Sequence, residues 1–495
     1  VSFGACLGFL LWVKKMMTNK KGKKALSVFS LVMINVIAVD SLRSLPISAE
    51  YGLSLVFYYI AGALLFMIPS ALAAADMATG WPQNGGIYVW VREAFGKQAA
   101  FMVAWIQWLY NIIWFPTILS FLASTFFYIF EPKLATDKGM IFIAILVLFW
   151  LATLANCFGM RVSGFISTLG SLFGTILPML LIIVLAAGWL MMGKPLAIDI
   201  SWHNALPDLS QLNNLAILSG MLFGLVGMEM SAIHAQDVEN PKKDYPKALL
   251  YSTLLILGCS ILGSLAVALV IPQDKINLSS AVITSFSIFF ASYKMSWMMP
   301  IIMVCIILGG FSGVSAWILG PSKCIRQACD DGTAPKFLAW SNKQGAPIAM
   351  LLAQGVLFTL LAMVFLFFPG FNASYWLLTA MTAQVSVIFY LFLFVTLIKL
   401  KFSRPEVPRG YAIPGGKTGT LIVGGVGILT CLFVFALGLL PPAQIQIMSK
   451  QAYETLLVGG IVLVCVIPLL ICWVRSRMNS RRESYADYPV LAQEA

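Results

Sequence analysis

The chain repeats one pattern along its length: a stretch of about 20 apolar residues, a short polar connection, then another apolar stretch. Twelve such stretches occur, at about 26–49, 53–75, 99–127, 139–158, 162–191, 211–234, 247–271, 295–321, 347–369, 373–397, 418–440 and 455–473. Each is long enough for a helix to cross a hydrocarbon core ~30 Å thick. The pattern predicts an all-α polytopic membrane protein with 12 transmembrane helices. Residues 1–24 do not fit it. VSFGACLGFLLWV is an apolar run of 13 residues, too short to span and without the preceding basic region of a signal peptide. Met16 or Met17 would make a sensible start, so the leader reads either as sequence from outside the natural protein or as a peripheral anchor. It is set apart from the fold.

Composition agrees with the pattern, at 60% hydrophobic and only 11% charged residues, against roughly 25% charged in an average soluble domain. No separate globular domain is visible. The nine cysteines lie mostly inside apolar runs, never in a CxxC or Cys/His cluster, and read as small core residues rather than a disulfide framework. His203 and His234 are too few and too isolated to hold a metal, and nothing calls for a cofactor.

The net charge of +12 would suggest nucleic acid if it were concentrated in one domain. It is not concentrated. With the N-terminus inside, 25 Lys and Arg fall on one side of the membrane, six on the other (Lys133, Lys138, Lys194, Lys275, Lys294 and Lys450), and Arg43 alone within a span. Short cytoplasmic loops hold the positive charge, so both termini are expected in the cytoplasm and nucleic acid is excluded as a partner.

Acidic and basic residues inside the spans are few: Asp40 and Arg43 in the first, with Glu50 at its end meeting the interface, and Glu229 in the sixth. A charge near the bilayer centre costs roughly 2.5–3.5 kcal/mol on insertion scales, so its default reading is functional. At 1.5 Å per residue, Asp40 lies ~20 Å along a helix starting near Leu26. In INVIAVDSLRSLP the charges sit among Ser41, Ser44 and Pro46; in SGMLFGLVGMEMSAIH, Gly220, Gly224 and Gly227 precede Glu229. Proline removes a backbone hydrogen bond, and glycine weakens a helix and permits close approach. Interrupted helices five spans apart point to an inverted repeat whose breaks meet near the midplane and bind substrate. Freed amides and half-helix N-termini suit a carboxylate, and a zwitterionic amino acid has the matching groups. Plainer readings stand beside this one. The glycines fit simple helix packing, and Asp40 and Arg43 at i, i+3 are placed to neutralise each other. Glu229 has no basic residue at helical spacing in its own span. IPGGKTGT is not a phosphate-binding loop, since Tyr411 stands where that motif needs its first glycine.

Four stretches resemble the amino acid, polyamine and organocation transporter superfamily: AADMATGWPQNGGIYVWVREAFGK from Ala74, GLVGMEMSAIHAQDVENPKKDYPKA from Gly224, SAWILGPSKCIRQACDDGTAPKFLAWSNKQGAPIA from Ser315, and YAIPGGKTG from Tyr411. Their order and spacing cover almost the whole chain beyond the leader. Within the superfamily the likeness is greatest to bacterial glutamate to gamma-aminobutyrate antiporters. The resemblance implies a leucine-transporter type 5+5 inverted repeat with broken helices 1 and 6, repeats at about 25–191 and 211–397 within a ten-helix core of 25–397, two further helices in 418–473, and a short cytoplasmic tail, 474–495. It also implies amino acid antiport or proton-coupled symport by alternating access, in a bacterial inner membrane, by a monomer or homodimer. Carried over by position, the unwound parts are Asp40 to Leu45 and Phe223 to Met228. Glu229 matches an acidic position tied to proton sensing in acid-resistance relatives, and Trp317 a substrate-proximal aromatic.

The expected substrate site is therefore Asp40, Ser41, Leu42, Arg43 and Ser44 with Phe223, Gly224 and Gly227, closed over by Trp108, Tyr110 and Trp317, and with Glu229 coupling protons. Two departures limit the transfer. Relatives commonly carry glycine in the helix 1 break, where this chain has DSLRS, and the tail is too short for the C-terminal plug of the glutamate antiporter. A membrane-embedded enzyme or sensor is the remote alternative, with Asp40 and Glu229 as paired acids but no accompanying catalytic motif.

Overall fold

The computed structural model describes residues 27–83, 85–131, 134–157, 170, 172–207, 212–231, 238, 240–342, 346–367, 371–440 and 449–486. The leader 1–24 and His234 lie outside the described residues. Among the described residues there is no β-strand; in lipid a helix satisfies its own backbone, and long apolar stretches fold that way.

The first span is two helices, α1 (Val28–Val39) and α2 (Leu45–Ala49). α1 opens on Ser27, whose hydroxyl accepts the Ser30 N–H at 3.3 Å. It ends at Asp40 (φ −82°, ψ 127°), and Ser41 is extended (φ −146°, ψ 130°) before a tight turn at Leu42–Ser44. Pro46 does not make this break. It occupies the first turn of α2, where the N–H it lacks would be unpaired anyway, so it starts a helix rather than ending one.

The chain continues through α3 (Gly52–Gly80), α4 (Ile87–Phe95), α5 (Lys97–Phe130), α6 (Lys138–Cys157), α7 (Leu172–Met191) and α8 (Leu212–Phe223). There follow α9 (Pro241–Val270), α10 (Ala281–Ser292), α11 (Met299–Asp330), α12 (Ile348–Phe367), α13 (Phe371–Ser403), α14 (Gly416–Gly438) and α15 (Lys450–Ala486). Eleven segments among the described residues are long and apolar enough to cross a membrane, α1 and α2 together counting as one. The sixth expected stretch, 211–234, is the exception: its helix α8 stops at Phe223 and the chain turns through Gly224 to Glu229.

Two features depart from the sequence expectation. α10 is an additional helix of 12 residues, anchored where Phe289 meets Trp189 edge-on at 5.5 Å and the Tyr293 hydroxyl donates to the Leu185 carbonyl at 2.8 Å. The second span runs on to Gly80 instead of ending near residue 75, and this carries Asp76 into the interior, where it is 0% exposed.

α5 forms the centre, packed against α11, α13 and α4, while α9 lies along α1. α7 and α11 touch backbone to backbone at Gly174 and Gly309, where a Cβ on either would overlap the other chain. Small residues let helices approach closely enough for dispersion to hold them, which matters in lipid because no hydrophobic force drives helices together there. Leu64, Val184, Leu254 and Leu429 point outward and are exposed, as lipid-facing side chains are.

Candidate functional site

The two chain breaks lie against each other. Gly227 has φ +125°, a conformation that disfavours any side chain, and a Cβ there would stand 3.0 Å from the Ala38 carbonyl oxygen at the end of α1. At Gly224 a Cβ would meet Ser44 at 3.5 Å. Between the breaks is a cavity of about 680 Å³, its open mouth included. The first span lines it with Ala38, Asp40, Ser41, Arg43 and Ser44, and the sixth with Phe223, Gly224 and Val226. The opposite wall is Tyr110, Asn111 and Trp114 of α5 with Gly309, Gly310, Gly313 and Trp317 of α11. Of these glycines, Gly309 packs on Gly174 and Gly310 on Leu122, while a Cβ at Gly313 would meet open space.

Asp40 and Arg43 do not neutralise each other: among the described residues they form no ion pair. Asp40 is buried, and its Oδ1 accepts the Ser260 hydroxyl of α9 at 3.3 Å. Arg43 is 3% exposed; its Nη1 donates to Thr117 Oγ1 at 3.1 Å and to the Tyr375 hydroxyl at 3.2 Å. The guanidinium carbon lies 5.8 Å from the Tyr375 ring centroid. Arg43 Nε is buried without a partner among the described residues.

Of the expected aromatics, Tyr110 and Trp317 come together, ring centroids 6.4 Å apart and edge to face, and Trp114 joins Trp317 at 6.2 Å. Trp108 is elsewhere: its indole N–H donates to Gln354 Oε1 of α12 at 3.1 Å, and it is not at the cavity wall. Leu42 is buried in the apolar core, and Gly227 makes the backbone contact behind the cavity.

Glu229 is 2% exposed and lies off the cavity wall. Its Oε2 accepts the Tyr390 hydroxyl of α13 at 2.6 Å, while the same hydroxyl accepts the Gly227 N–H at 2.9 Å. Glu229 Oε1 has no partner among the described residues. One phenol therefore joins the carboxylate to the break backbone.

A second charged cluster closes the Lys- and Arg-rich end. Asp76 pairs with Arg409, lies 3.7 Å from Lys401 Nζ, and accepts the Ile413 N–H at 3.1 Å. Thr79 and Tyr411 exchange hydrogen bonds at 2.9 and 3.2 Å, and the Arg409 guanidinium also lies 5.3 Å from the Trp81 ring. Beside it, Asp331 accepts from Arg92 and from the Tyr88 hydroxyl, both at 2.8 Å. Burial pushes the Asp331 carboxyl up, but the Arg92 and Tyr88 hydrogen bonds and the Arg92 charge outweigh it and hold the group below the usual carboxylate range.

Residue counting missed Asp76 because it falls one position past the expected end of its span. Thr117, Tyr375, Tyr390, Trp114 and Ser260 are uncharged and sit in unbroken apolar stretches, so only the tertiary fold reveals them. A polar residue facing an intramembrane charge was the one available signal.

The amino acid permease family model matches residues 25–464. An uncharacterised transporter of Legionella pneumophila is 51% identical over 450 residues, covering 90% of this chain and 96% of its own length. A glutamate/gamma-aminobutyrate antiporter of Lactococcus lactis is 30% identical over 91% of this chain and 90% of its own. A probable agmatine/putrescine antiporter from the same species is 22% identical over 91% of this chain. These relatives are transporters, not enzymes, which removes the enzyme alternative. With a helical bundle of at least eleven apolar spans, two abutting breaks and a family match from residue 25 to residue 464, the chain belongs to the amino acid permease family of the amino acid, polyamine and organocation superfamily.

Proposed function

We propose that this transporter exchanges one amino acid for another by alternating access, with substrates like those of glutamate/gamma-aminobutyrate antiporters. One observation carries the reading: the cavity between the breaks holds a buried acid, Asp40, and a buried base, Arg43, that make no ion pair with each other. A buried charge without a counter-charge is costly, and an amino acid supplies one for each. Asp40, oriented by Ser260, takes the substrate ammonium. The start of the Leu42–Ser44 turn offers backbone N–H groups that have left α1, and these suit the α-carboxylate. Tyr110 and Trp317 cover the substrate from α5 and α11.

The Lys and Arg bias supports cytoplasmic termini, and breaks in the first and sixth spans support inverted repeats at about 25–191 and 211–397. Proton-coupled symport is the second reading, favoured by the unpartnered Oε1 of Glu229.

The test is uptake of radiolabelled glutamate into proteoliposomes that are empty or preloaded with glutamate or gamma-aminobutyrate. Antiport requires the internal amino acid. Uptake into empty vesicles driven by a pH gradient would replace antiport with symport, and no counterflow with any amino acid would end the reading.

A further inference from the structure

The geometry points to Thr117 and Tyr375 as specificity-positioning residues: by occupying Nη1 of Arg43 they leave its Nε–Nη2 edge for a carboxylate on the substrate side chain. The inference rests on the exchange reading above and adds the residues that set substrate charge.

Arg43 arrives from the turn after the first break, and its two hydroxyl partners come from α5 and α13. Both accept from the same nitrogen, Nη1. Nε is buried without a partner, and Nη2 makes no hydrogen bond to a described residue. A guanidinium grips a carboxylate best side-on, through two parallel N–H groups, and the Nε–Nη2 edge is one of the edges that does so. The third nitrogen is the one already spent. Thr117 and Tyr375 are uncharged, so they fix the plane of the guanidinium without neutralising it. Thr117 is itself oriented, its hydroxyl donating to the Trp114 carbonyl at 2.7 Å, so its lone pairs face Arg43.

The charge tally points the same way. The acids nearest the breaks do not pair with Arg43: Asp40 accepts from the Ser260 hydroxyl and Glu229 from the Tyr390 hydroxyl. The substrate's own ammonium and α-carboxylate are answered by Asp40 and the break amides, which leaves Arg43 to face a second carboxylate. A lysine at 43 would be a compact point charge without the paired N–H geometry.

Purified protein is tested with glutamate and glutamine, which differ in the one group at issue. Binding is read by thermal shift and exchange by proteoliposome uptake, in wild type, Tyr375→Phe, Thr117→Val, Thr117→Ser and Arg43→Lys. Tyr375→Phe and Thr117→Val are expected to raise the KM for glutamate about tenfold, the worth of one hydrogen bond to a charged group, while the KM for glutamine moves less than about twofold. Thr117→Ser keeps the hydroxyl and retains glutamate preference; Arg43→Lys loses most of it. Unliganded melting temperatures separate misfolding from altered selection; Thr117→Val removes the hydroxyl at nearly constant volume, and Thr117→Ser keeps the hydroxyl while removing the methyl.

Equal grip on glutamate and glutamine by the wild type, or parallel KM changes for both in the variants, overturns the selector. Glutamate-selective binding that depends on Thr117 and Tyr375 without any exchange overturns the antiport reading and supports the selector. Absence of both binding and exchange overturns both.

Discussion

Ala38 and Gly227 hold the two breaks together through backbone alone, the carbonyl of one sitting where the other has no Cβ. Gly227→Ala puts a methyl 3.0 Å from that oxygen and 3.2 Å from its carbon, at φ +125°. The expected cost is ~1–3 kcal/mol from backbone strain, with loss of exchange. Gly220→Ala is the control, because its Cβ would meet nothing closer than 3.7 Å. Melting of the two purified variants checks this; equal melting temperatures would mean that the close approach is relaxed in the membrane.

Asp76 is fully buried with Arg409 and Lys401 beside it. Asp76→Asn leaves two cations without their acid, and breaking a buried pair costs ~3–5 kcal/mol. The variant should melt well below wild type. Asp76→Glu should recover only part of the loss, since the Ile413 N–H and the Arg409 guanidinium both depend on the shorter side chain.

Tyr390→Phe takes a donor from Glu229 and an acceptor from the Gly227 N–H at once. The double loss should destabilise by ~1–3 kcal/mol for each group left unsatisfied. It should also alter the pH profile of exchange in the same sense as Glu229→Gln, because both act on one carboxylate. An exchange profile unchanged across pH 5–8 in Glu229→Gln would exclude a proton role for this residue.

Asp331 gives a pH prediction with a definite sign. Its carboxyl is held below the usual range, so it binds protons less readily folded than unfolded. The stability it contributes is present above the unfolded value of about 3.9 and disappears only as pH falls through the lower folded value. The gap in melting temperature between wild type and Asp331→Asn should stay constant from pH 7 to 5 and shrink below about pH 4. A gap that closes between pH 7 and 5 would show that Arg92 and Tyr88 do not hold the group ionised.

The helical, polytopic class was legible from the apolar runs because lipid leaves the backbone so few choices. Asp40, Arg43 and Glu229 stood out for the related reason that charge is rare there. The first break falls where the family resemblance puts it, from Asp40, and not at Pro46, which looks like a breaker in one dimension and proves to be a helix start. α10 was missed because 12 residues fall below the length of a span. Trp108 and Tyr110 lie two positions apart on one helix, so their directions differ by ~200° and only one can face the cavity. Tyr375 and Tyr390 were invisible because their roles are conferred by charges brought to them from other spans.

The hydrogen bond between Arg43 and Tyr375 closes over 332 residues. At ribosomal rates of ~5–20 residues per second, the nascent chain carries Arg43 for roughly 15–65 s before Tyr375 has been made. Thr117 is 74 residues away and arrives far sooner. During that interval the first span is a membrane segment with a cation and only a partial shell, held by water or by snorkelling toward the surface. The residue proposed to receive anionic side chains is thus also a charge that the first span must carry into the bilayer, and biogenesis is where a defect in its partners would first be felt.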